Sequence, residues 1–245
     1  MINTTFNFYK MNIKEYWHDI DLRLEKLVNN GYVKLPSLSQ FDLGYVASNI
    51  SDEMGSFTFK ELGSAHKKFL DDLAIDRYLT PKLLELAKTA FNFKGNSLDQ
   101  YNIARKVEPG NSKEMYRAHF DSHLFTIVLP IKIPKSTKEG RSGGLIYFPK
   151  ARKMPRNEIS NFIGKTYYKR YASKKGLQNL PPRHQMKEDN FRDYQPLLFM
   201  GNTTLHTNHP VTLDCSSYRL TLLAHFFDPS PKYGVGSLLR LIRSR

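Results

Sequence analysis

The chain has 245 residues, 40% of them hydrophobic and 24% charged, which is the composition of a folded protein rather than a disordered tail. Its single cysteine, Cys215, excludes a disulfide scaffold, a zinc finger and an iron–sulfur cluster. The net charge of +14 is concentrated: residues 150–192 hold 12 Lys/Arg against 3 Asp/Glu, and residues 232–245 add four basic residues and no acid, so an anionic partner is expected there.

The opening MINTTFNFYKMN has no basic region followed by an apolar stretch, and the longest apolar runs, such as Leu124 to Ile131, have strand length. A soluble, cytoplasmic protein without a transmembrane segment is expected. Tyr16, Trp17, Ile20, Leu24, Leu27 and Val28 recur at three- and four-residue steps and predict a helix from Ile13 to Asn30, stopped by Gly31. Tyr32 to Leu35 reads as a short strand ended by Pro36. A second helix fits Ser64 to Ile75. A third begins with Thr80 as N-cap and Pro81 at the first helical position, turning Leu83, Leu84, Ala87 and Phe91 inward.

From Asp99 the pattern turns to strands: Tyr101 to Val107, Met115 to Asp121, Leu124 to Ile131, Gly144 to Phe148, Leu197 to Met200, and Tyr218 to Phe227. Turn signals at Pro109-Gly110-Asn111, Gly143-Gly144 and Gly201-Asn202 separate them. The expected fold is α+β with a mainly β core, a jelly roll carrying N-terminal helices. We read one domain over 1–245: a mostly helical part at 1–98, a β core at 99–228 and a basic tail at 229–245. The basic stretch 150–192 reads as an insertion with some helix, lying over one end of the sheet as a lid or binding loop.

Without thiolates, a metal site must use histidine and carboxylate. In extended chain His119 and Asp121 project to one face and can reach one ion. His206 follows the apolar strand Leu197 to Met200 and a glycine turn, which brings a third ligand from a neighbouring strand. Two histidines and one carboxylate on one face of an octahedron leave three positions open, which suits Fe(II) that must hold a cosubstrate and oxygen. Arg219 and Thr221 alternate to one face of the next strand, and a guanidinium beside a hydroxyl is a cradle for a carboxylate.

These residues, in this order, resemble the Fe(II)/2-oxoglutarate-dependent oxygenases, most closely the phytanoyl-CoA-dioxygenase-like and prolyl-hydroxylase-like branches. The resemblance extends to Gly143-Gly144-Leu145-Ile146-Tyr147-Phe148-Pro149, to Pro210-Val211 after His206, and to Leu27 through Pro36. It covers residues 22–38 and 100–228 and implies a double-stranded β-helix. It further implies that His119, Asp121 and His206 hold Fe(II), and that Arg219 and Thr221 take the distal carboxylate of 2-oxoglutarate. Tyr101 and Asn102 would also contact the cosubstrate. O2 would be consumed and succinate and CO2 released, with hydroxylation as the outcome because Asp121 is retained. His209 is the competing distal ligand; His206 is preferred because it precedes Pro-Val by four residues.

His225, His123, His66 and His184 receive no role from the sequence. The expected substrate is a small or conjugated, anionic organic molecule. A nucleic-acid or protein side-chain oxygenase of the same superfamily, and a non-catalytic jelly-roll binding module, are the alternatives. Tyr167, Tyr168 and Tyr171 among Lys165, Lys169 and Arg170 come nearest to a base-stacking ribbon. Peripheral contact with an anionic membrane is a further reading of the basic segments.

Overall fold

A computed structural model describes residues 12–61, 63–95, 100–111, 115–135, 143–155, 158–181 and 184–229. The basic segment 232–245 lies outside them.

The first predicted helix is two helices, α1 (Ile13–Tyr16) and α2 (Ile20–Asn30). Adjacent Tyr16 and Trp17 are both buried but serve different partners. The Tyr16 hydroxyl donates to the Pro36 carbonyl, and the Trp17 indole N–H donates to the Leu73 carbonyl at 2.8 Å. Leaving the helix at Trp17 lets both do so. Gly31 ends α2 as expected, in the left-handed region (φ +82°) with its N–H on the Leu27 carbonyl. β1 (Tyr32–Lys34) follows directly.

A helix not expected from the sequence, α3 (Leu43–Met54), starts where the Asp42 carboxylate accepts from the Tyr45 N–H, and buries Ala47, Ile50 and Met54. After the short β2 (Phe59–Glu61) come α4 (Ser64–Asp72) and α5 (Ile75–Tyr78). The helix predicted over Ser64 to Ile75 breaks at Ala74, which has φ +51°. In α6 (Thr80–Phe91) the N-cap is Leu79, not Thr80. The Thr80 side chain is buried, lying 3.3 Å from the Ile75 carbonyl and 3.4 Å from Asp76 Oδ1, so it bonds backwards rather than capping the helix ahead.

The remaining elements are β3 (Gln100–Val107), β4 (Phe125–Lys132), β5 (Leu145–Phe148), α7 (Glu158–Lys169), α8 (Lys174–Gln178), β6 (Lys187–Asp189), β7 (Leu197–Met200), β8 (Leu205–Asn208) and β9 (Arg219–Phe226). The strand expected over Met115 to Asp121 does not form. Tyr116 sits at φ +49°, and what remains is one antiparallel bridge, His119 to His206.

The strands make two antiparallel sheets, one of order β1-β7-β4-β9-β3-β2 and one of order β6-β5-β8. Strand alternation sorts their side chains into three apolar layers. Ala104, Ile127, Leu129, Leu198, Leu222 and Ala224 face the N-terminal helices. Ile103, Val128, Leu197, Phe199 and Leu223 face the small sheet's Leu145 and Tyr147. Ile146, Phe148 and Leu205, on the far side of the small sheet, pack under Tyr168 of α7 and Leu177 of α8. The protein is thus a mixed α/β molecule built around a large antiparallel sheet. Rather than lying over one end of the sheet, the basic stretch covers the outer face of the small sheet with α7 and α8 and gives that sheet its edge strand β6.

Candidate metal centre

The two imidazoles meet because the backbone locks their residues together. The His119 N–H donates to the His206 carbonyl at 3.1 Å, the His206 N–H donates to the His119 carbonyl at 3.0 Å, and the rings lie 4.4 Å apart. Asp121 is set by its N–H on the Gly201 carbonyl. One donor atom from each of His119, Asp121 and His206 lies within 4.8 Å of the others, and Asp121 Oδ1 is 3.7 Å from Nε2 of both histidines.

The tautomers follow from the other ring nitrogens. His119 Nδ1 lies 2.7 Å from the Arg117 carbonyl and His206 Nδ1 lies 3.2 Å from the Thr204 carbonyl. A carbonyl only accepts, so each Nδ1 carries the proton and each Nε2 presents a lone pair. Desolvation by the surrounding protein lowers both histidines, the buried His206 and the half-exposed His119, and the neighbouring Asp121 offsets this only in part. Burial pushes the Asp121 carboxyl up. His206, His225, His119 and the Thr126 hydroxyl more than compensate, holding it well below the usual carboxylate range. Three electron-pair donors therefore converge without a proton among them, and two neutral imidazoles with one carboxylate fit a divalent transition metal.

Behind Asp121 stands a relay that the sequence reading missed. The Thr126 hydroxyl donates to Asp121 Oδ2 at 2.6 Å. Its single proton is then committed, so His225 Nδ1, 3.0 Å away, donates to the Thr126 oxygen. The sheet register sets this up, with Thr126 opposite His225 and His225 opposite Tyr101. The rings of Tyr101, His123 and His225 stack on one another at centroid distances of 5.2 to 6.0 Å. A signal was present: Thr126 and His225 are polar interruptions of apolar strands, and His225 has the same parity as Arg219 and Thr221.

Arg219 and Thr221 are buried on the face of β9 that also carries Leu223 and His225. Arg219 donates to the Gly143 carbonyl at 2.8 Å. Arg105, also unremarked in the sequence, stands opposite Thr221 on the same face. Its positive charge is one of the influences lowering His119 and His206. Tyr101 lies on this face, but Asn102 does not. It stands opposite Ala224, whose side chain packs among the N-terminal helices, so strand alternation turns Asn102 away from the triad. His209 also stays out, its Nε2 3.5 Å from Glu188 and its ring edge-on to Tyr116.

No family model matches the sequence, and no curated protein matches it. Solved structures do. A prolyl-4-hydroxylase from Pseudomonas putida is 13% identical over 85% of this chain and 98% of its own, with a TM-score of 0.51. The non-heme alpha-ketoglutarate-dependent carbocyclase SnoK of nogalamycin biosynthesis is 15% identical over 89% and 90%, at 0.52. The Fe(II)/alpha-ketoglutarate-dependent dioxygenase TqaL is 12% identical over 92% of each chain, at 0.51. At these identities the likeness is one of fold.

Proposed function

We propose that this chain, which has the fold of the Fe(II)/2-oxoglutarate-dependent oxygenases and a His-Asp-His cluster, is an oxygenase of that kind, folded as one domain around a double-stranded β-helix. The observation that carries the reading is the convergence of His119 Nε2, His206 Nε2 and Asp121 Oδ1, with both imidazole protons held on backbone carbonyls. Fold likeness alone would not require it.

His119, Asp121 and His206 would hold Fe(II). With 2-oxoglutarate and O2 bound, the metal would let O2 act as the oxidant and 2-oxoglutarate as its two-electron co-reductant, one oxygen atom going to a substrate C–H bond and the other to succinate as CO2 is lost. Thr126 keeps Asp121 Oδ2 occupied, so that one carboxylate oxygen faces the metal position. Arg219 and Thr221 would take the distal carboxylate of 2-oxoglutarate, with Arg105 adding positive charge opposite Thr221. Val128, Leu197, Phe199 and Leu223 pack between the two sheets, and such apolar surroundings strengthen electrostatic contacts beside them. The basic surplus of residues 150–192 supports a small or conjugated anionic organic molecule as substrate.

The test is an anaerobic titration with Fe(II) and then 2-oxoglutarate. A weak visible metal-to-ligand charge-transfer band is expected in the wild type and not in His206→Ala. Aerobic succinate release would then allow a substrate screen. Iron binding without the band would defeat the cosubstrate half of the reading, and no iron binding would defeat all of it.

A further inference from the structure

The outward side of α7 is built the wrong way round for a helix that only covers a core. Ile159, Phe162, Ile163 and Tyr167 recur at helical spacing and are 71%, 66%, 61% and 46% exposed. The helix is held by other residues. Tyr168 packs edge-on against Phe120 and donates from its hydroxyl to the Ala151 carbonyl at 2.6 Å. Lys165 Nζ donates to Ser122 Oγ at 3.0 Å. The apolar stripe is therefore surplus to folding.

Its surroundings are cationic. Lys153, Lys169, Lys174 and Lys175 are exposed, and Arg170 lies over the rings of Tyr167 and Tyr171. Residues 159–187 contain no Asp or Glu at all. We propose that this face of α7 docks the protein on an anionic membrane surface, with Ile159, Phe162 and Ile163 entering the headgroup–acyl boundary and the lysines meeting lipid phosphates. Charge disfavours two other coverings. A second copy would oppose two faces with the same net positive charge. The C-terminal sequence 232–245 brings four more cations and no acid. Side chains that stand this far out of the surface suit insertion into a soft interface better than a fitted groove. The inference is independent of the metal chemistry.

The experiment is co-sedimentation of the full chain with vesicles of phosphatidylglycerol and phosphatidylcholine, and with phosphatidylcholine alone. Binding is expected for the anionic vesicles only, weakening with added salt. The double variant Phe162→Ser with Ile163→Ser should bind about tenfold more weakly, with circular dichroism unchanged because both side chains are exposed. Ile159→Ser alone should weaken binding in the same direction. Absence of binding to anionic vesicles would overturn the proposal. So would binding that is indifferent to all three apolar substitutions. Self-association, or retention on duplex DNA, that is lost in the double variant while vesicles are ignored would overturn it in favour of that occupant.

Discussion

The Thr126 hydroxyl donates to Asp121 Oδ2 at 2.6 Å, and Asp121 Oδ1 is left facing the two imidazoles at 3.7 Å each. The partition of the two oxygens makes the carboxylate a one-armed donor with a fixed direction. Because His225 donates to Thr126 in turn, the direction of Asp121 is set from the two central strands of the large sheet, β4 and β9.

Removing that support should loosen the metal and spare the fold. Thr126→Val keeps the shape of a buried β-branched side chain but deletes the hydroxyl. Fe(II) affinity should fall roughly 10- to 100-fold, the usual effect of losing a partner behind a ligand. Thr126→Ser should recover most of it, and His225→Phe should fall between. Calorimetric titration of the metal-free protein reads this directly; equal affinity in wild type and Thr126→Val would take the relay out of the site.

The triad itself should behave as a unit. His119→Ala or Asp121→Ala should abolish Fe(II) binding and succinate formation, while far-ultraviolet circular dichroism stays native. Full activity in either variant would show that the cluster is not the iron site.

The two arginines on the inner face can be told apart by kinetics. Arg219→Ala should raise the KM for 2-oxoglutarate by about 10- to 100-fold, the worth of a charged hydrogen bond, and Arg219→Lys should raise it less. Arg105→Ala should raise it by a smaller factor. The opposite order would move the cosubstrate carboxylate from the Arg219 end of β9 to the strand beside it. Arg219 is only 2% exposed and braces the Gly143 carbonyl, so thermal unfolding of each variant should accompany the kinetics.

Gly201 is required by close approach. A Cβ there would lie 2.7 Å from Thr126 Oγ1, 2.9 Å from the His123 carbonyl and 3.1 Å from Asp121 Cβ. Gly201→Ala should destabilise the metal-free protein by about 1–3 kcal/mol, as overpacking does, and weaken Fe(II) binding through Asp121. Thermal denaturation and metal titration together check it; a stable variant with native affinity would show that the turn can yield.

Much of this was legible in the sequence because it follows local rules. Gly31 ends a helix because only a residue tolerant of positive φ closes that turn. His119, Asp121 and His206 could be picked out because histidine and carboxylate are the metal-ligating types left to a chain without thiolates, and the fold does bring the three together. What went unread depended on context. The stripe of α3 is modest, and its start rests on Asp42. Met115 to Asp121 has strand-like composition, yet Tyr116 turns the chain and leaves one bridge. Tyr101 and Asn102 cannot both reach the site, because adjacent residues of a strand do not share a face.

The amino-acid sequence alone thus determined that Gly31 ends its helix, that the long apolar runs form strands and which side-chain types were available to a metal, since these depend on backbone stereochemistry and side-chain type within a few residues. The tertiary structure decided which way the faces turned and who met whom. It brought Thr126 against His225, 99 residues on, turned Asn102 away, drew His209 toward Glu188, and left the apolar side of α7 facing water. The physical reason is that sheet register and layer packing are set by the summed burial of all strands at once, and no local stretch of the chain carries that sum.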